Sequence, residues 1–72
     1  MNDKMDYDLY VLAEISYKKA FNLESEENLF PEGWYSSNNY KLKTEILAEA
    51  IDNNTLIEET PMYKEAVINK NL

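Results

Sequence analysis

Residues 39–53, NYKLKTEILAEAIDN, decide the fold. Tyr40, Leu47, Ala50 and Ile51 recur at helical spacing and share one face, which Leu42 and Ile46 widen. Lys41, Glu45, Glu49 and Asp52 share the opposite face, so the pattern predicts an amphipathic helix with a solvated side. Lys41 and Glu45 form an i, i+4 pair that adds only a few tenths of a kcal/mol (~0.2–0.5). Ser36, Ser37, Asn38 and Asn39 offer N-caps at its start. Asn53-Asn54 offers a stop, because Asn tolerates the left-handed conformation that ends many helices.

Upstream, residues 3–23 read as a first helix. Met5, Leu9, Leu12, Ala13, Ala20 and Leu23 fall on one stripe with Ser16. Tyr10, Tyr17 and Phe21 form a second stripe beside it, and Val11 and Ile15 flank the other edge. The polar remainder is narrow and centred on Glu14 and Lys18. This apolar arc is wider than one surface helix needs, so the helix is expected either to lie between two others or to meet another chain. Asp3, Asp6 and Asp8 suit the positive end of the helix dipole, and Lys18 and Lys19 the negative end.

Between the two helices, Glu24-Ser25-Glu26-Glu27-Asn28 is an acidic connector. It leads into Leu29-Phe30-Pro31-Glu32-Gly33-Trp34-Tyr35, where Pro31 and Gly33 suit the second and fourth positions of a type I turn. Phe30, Trp34 and Tyr35, rimmed by Glu26, Glu27 and Glu32, are the partner-binding candidates, since Trp and Tyr dominate interface hot spots. The competing reading folds this loop back so that Trp34 caps a small core.

Downstream, Thr55 to Glu59 reads as an extended connector or a lone strand. Thr60-Pro61 then starts a third helix, with Thr as N-cap and Pro at the first helical position. It runs from Pro61 to Ile68, burying Tyr63, Ala66 and Val67, and residues 69–72 fray. The fold class is therefore all-α, a single small domain over residues 1–72. Two main helices pack antiparallel, a short C-terminal helix follows, and an ordered aromatic loop joins the first two.

Composition narrows the function. The chain has no His, Cys, Arg or Gln, and it carries 14 acidic residues against 7 lysines, a net charge of -7. The usual general base, thiolate nucleophile and soft-metal ligands are missing. One glycine cannot build a phosphate-cradling loop, and no carboxylate pair or calcium-type spacing is complete. No catalytic residue, cofactor or metal is expected. Direct nucleic-acid binding is not expected either, because phosphates repel this charge. The acidic start has no basic leader pattern and no apolar run is long enough to span a membrane, so a cytoplasmic protein is expected. Nine Asn, six Tyr and seven Lys without Arg fit an AT-rich bacterial or phage coding sequence.

These features imply a small acidic protein-interaction module. It would occlude a basic or aromatic-binding groove on a protein partner, as an antitoxin, immunity protein or phage-type inhibitor does. The alternative is a structural homo-oligomer or accessory subunit, a homodimer through the first helix that Val11→Lys or Ile15→Lys would dissociate.

Overall fold

The computed structural model describes residues 3–30, 34 and 39–69 and forms three helices. They are α1 (Asp3–Ala20), α2 (Tyr40–Asn53) and α3 (Pro61–Asn69), and a 3₁₀ turn at Ile57–Glu59 precedes α3. The architecture is all-α, with α1 and α2 packed antiparallel and α3 seated on the 3₁₀ turn. The Pro31–Gly33 turn, the N-cap candidates Ser36, Ser37 and Asn38, and the tail at 70–72 lie outside the described residues.

Both long helices end in the same way. Asn22 and Asn54 are left-handed, with φ of 58° and 57°. After α1, the Leu23 N–H donates to the Lys18 carbonyl (2.8 Å) and the Asn22 N–H to that of Lys19 (3.4 Å). After α2, the Thr55 N–H donates to Ala50 (3.0 Å) and the Asn54 N–H to Ile51 (3.2 Å). This paired pattern satisfies the last carbonyls of a helix, a task usually given to glycine. It also stops α1 at Ala20 rather than at the expected Leu23. At the other end of α2, Asn39 precedes the helix but makes no side-chain cap bond.

Thr55 to Glu59 is neither strand nor plain connector, since Ile57–Glu59 coils into a 3₁₀ turn. Thr60 is fully buried and caps α3 as expected: its Oγ1 accepts the Tyr63 N–H (3.2 Å), and its hydroxyl donates to the Ile57 carbonyl (2.8 Å). Tyr17 fixes the same turn from α1, because its phenol oxygen accepts the Ile57 N–H at 3.0 Å.

The core comprises Tyr10, Tyr17, Phe30, Trp34, Ile46, Leu47, Ala50, Ile57 and Ala66. Burying an aliphatic side chain such as Ile46 or Leu47 stabilises by about 1.5–3 kcal/mol. Three expectations need correction. The inward side of α1 is its aromatic stripe, Tyr10 and Tyr17 with Phe21 partly buried, whereas Met5, Leu9, Leu12 and Ile15 are exposed. Rings reach Tyr40, Phe30 and the 3₁₀ turn, which shorter aliphatic side chains could not do from the same helix. Glu14 and Lys18 accordingly lie on the inward edge and are half-buried, not on a solvent stripe. On α3, Val67 is exposed, and Ala66 with the partly buried Met62 and Tyr63 makes the contact.

Candidate functional site

Three groups of residues could carry function: the aromatic cluster around Lys43, the acidic connector, and the outer face of α1.

A chain of rings crosses the domain. Tyr7 meets Tyr40 edge-on at 5.1 Å, and Tyr40 lies 5.5 Å from Tyr10, which lies 6.4 Å from Phe30. Phe30 stacks on Trp34 at 5.3 Å, and Trp34 stacks on Tyr63 at 5.6 Å. Such pairs are worth about 0.5–1.5 kcal/mol each beyond the area they bury. Phe30 and Trp34 are therefore core residues, 4% and 2% exposed, and offer no open anchor to a partner. Among the remaining candidates, Glu26 and Glu27 are exposed on the connector, and Glu32 and Tyr35 lie outside the described residues.

Lys43 sits at the middle of this chain and is 0% exposed. Its Nζ donates to the Trp34 carbonyl at 3.0 Å and lies 5.0 Å and 4.9 Å from the ring centres of Tyr10 and Tyr40. A desolvated cation over two ring faces gains about 2 kcal/mol or more per good contact. Burial lowers the Lys43 pKa below its ordinary 10.5, and nearby Glu14 pulls it back up. Glu14 in turn accepts the Tyr10 hydroxyl at 3.1 Å and lies 3.8 Å from Lys18 Nζ. The Lys18 ammonium also donates to the Ser25 carbonyl, tying the connector to α1. Chemically this arrangement is a clamp: the ammonium is sealed from solvent, and the carbonyl it holds belongs to the aromatic loop.

Two phenols titrate abnormally. Burial raises the Tyr17 pKa above 10.0; the Ile57 bond opposes that, and Glu58 and Glu59 add to it. Burial, reinforced by Glu58, raises that of Tyr63. On α2, Glu49 is half-buried rather than solvated, and its Oε1 is buried without a hydrogen-bond partner among the described residues. No group of three or more acidic side chains among the described residues could hold a metal ion.

The outer face of α1 is the opposite case. Met5, Leu9, Leu12 and Ile15 are 56%, 50%, 61% and 57% exposed on a helix whose other side is in the core. They lie together on one side of the helix, with Asp8 and Lys19 among them. From spacing alone Met5, Leu9 and Leu12 fall on one stripe with Ile15 at its flank, and which part of that wide arc meets the core stays open. Lys43 escapes a reading that expects lysine in water, although its spacing from Tyr40, Leu47 and Ala50 puts it in the middle of the apolar face of α2.

The chain matches no protein-family model, no curated protein and no solved structure. No helix among the described residues is long and apolar enough to cross a membrane.

Proposed function

We propose that the chain is a small acidic protein-interaction module that docks through the outer face of α1. The observation that carries this is the row of four large apolar side chains left exposed on that face. Single exposed hydrophobics are ordinary, but a contiguous group on one helix marks an interaction surface. Phe30 and Trp34, first in line from the sequence, lie instead in the core.

Charge supports a finer role. Glu24, Glu26, Glu27, Glu58 and Glu59 are exposed, and the net charge is -7. An acidic surface of this kind suits occlusion of a basic groove on a target, and attachment by it would weaken as salt rises.

The test compares polypeptides retained from source-cell lysate by the native chain and by Leu12→Lys. The variant should melt like the native chain yet lose a polypeptide that the native chain holds. Equal retention by both would reject α1 as the docking face.

A further inference from the structure

We infer that the occupant of the outer face of α1 is a second copy of this chain, laid antiparallel along the first. This rests on the docking role of that face argued above, and it adds the identity of the partner and its register.

Met5, Asp8, Leu12, Ile15 and Lys19 alternate in steps of three and four, the spacing of a two-helix seam. Tyr10 and Tyr17, both buried in the core, occupy the positions farthest from that seam, so the seam faces straight out. Lys4, Asp8 and Lys19 are exposed, and Asp8 lies 3.3 Å from Lys4 in a solvent-screened pair. Lys19 forms no ion pair among the described residues.

Charge then selects the partner and its direction. With two copies antiparallel, each seam position meets the opposite kind of position on its neighbour. Leu12 meets Ile15 of the second copy, and Asp8 meets Lys19 of the second copy. The two-fold axis repeats both contacts, so two apolar layers lie between two ion-paired layers. A parallel pair would instead set Asp8 on Asp8 and Lys19 on Lys19, which like-charge repulsion disfavours. A wholly basic or wholly acidic partner would match only one end of the seam. The chain's own seam matches itself at both ends.

The area sets the strength. In this register residues 7–20 of the two helices overlap, a length of about 21 Å, so the two faces bury less than about 1,000 Å², below the standard size of specific interfaces. Grooves of about 370 Å³ beside Leu9 and about 350 Å³ beside Ile15 flank the seam and leave room for the neighbour's flanking side chains. The dimer is therefore reversible and concentration-dependent.

The experiment is sedimentation equilibrium over a concentration series, with a melt of each protein. The proteins are the native full chain, Asp8→Lys, Lys19→Asp and the double Asp8→Lys/Lys19→Asp. The native chain should dimerise reversibly. Each single variant should melt like the native chain at concentrations where both are monomeric and raise the dissociation constant by at least about tenfold, and the double should regain native dimerisation. One single variant makes the chain less negative and the other more negative, so net charge cannot produce the same loss in both. The inference is overturned if the native chain stays monomeric, if the single variants dimerise like the native chain, or if the double fails to recover. A monomeric native chain whose Leu12→Lys variant still loses a captured protein would overturn the second copy alone. A monomer that captures the same polypeptides with and without Leu12→Lys would overturn the docking reading as well.

Discussion

The two faces of α1 are both apolar, yet only one belongs to the domain. The inner face carries Tyr10, Tyr17 and Phe21, and the rest of the chain closes over it. The outer face carries Met5, Leu9, Leu12 and Ile15, and the chain leaves it open. Hydrophobicity alone does not separate these faces, and on that measure the aliphatic one looks the better core. Reach separates them. An aromatic ring can reach Phe30 and Tyr40 across the helix pair, as Tyr10 does, and offer a hydroxyl oxygen to a distant backbone N–H, as Tyr17 does to Ile57. A helix in a very small domain can thus spend its aromatic side inward and keep its aliphatic side for another molecule.

The contrast breaks most sharply at Trp34. Trp34→Ala removes the ring stacked between Phe30 and Tyr63 and should cost about 3–5 kcal/mol. That is comparable to the whole net stability a core of this size supplies, roughly 3–5 kcal/mol, so a thermal scan should show no cooperative unfolding. A near-native melt would return the loop to the surface and undo the assignment of the inner face.

Tyr17→Phe keeps the ring and removes only the acceptor of the Ile57 N–H. Leaving that buried donor unpaired should cost about 1–3 kcal/mol by urea unfolding at neutral pH. It should also change the response to alkali. The Tyr17 and Tyr63 phenols hold their protons above pH 10.0 in the folded chain, where the unfolded chain releases them. Their contribution is therefore complete below pH 10.0 and is lost as pH rises through the raised values. Lys43 has the opposite sign: its lowered pKa adds stability as pH climbs toward 10.5. Because Lys43 is common to both proteins, Tyr17→Phe should lose stability less steeply than the native chain above pH 10.0. An identical slope would mean that Tyr17 titrates no differently folded and unfolded.

A smaller effect is expected at Thr60. Thr60→Ala removes the N-cap of α3 and should cost about 1 kcal/mol, read as a lower urea midpoint with an unchanged slope. Smallest of all is the outer face itself. Leu12→Lys or Ile15→Lys should change monomer stability by no more than about 0.5 kcal/mol, because both side chains are already in water. A loss as large as that of Trp34→Ala would place these residues in the core and abolish the contrast.

How legible each part was depended on how local its cause is. α2, its Asn54 stop and the Thr60-Pro61 start of α3 could be read directly, because spacing and capping chemistry act over a few residues. The existence of α1 was equally plain, but its rotation was not. Choosing between an aliphatic and an aromatic stripe requires knowing that Phe30, Trp34 and Tyr40 arrive from elsewhere in the chain. Lys43 shows the same limit from the polar side: its spacing sets it beside Tyr40 on the apolar face of α2, but the carbonyl and the second ring that receive its charge come from Trp34 and Tyr10 in other segments. Val67 reads as core by spacing, yet α3 is short and meets the domain along Met62, Tyr63 and Ala66. The contact face was half legible. The excess width of the arc on α1 signalled a surplus of apolar surface, while which residues formed that surplus depended on the rotation.

Trp34 is the chain's one tryptophan, held between two rings in the core and far along the ring chain from the outer face of α1. The protein thus carries a built-in optical reporter. Its ultraviolet emission should lie toward the blue while the core is closed and move to the red only when the core opens to water. Diluting the protein until copies separate should leave that colour unchanged, so one fluorescence trace can separate loss of fold from loss of company.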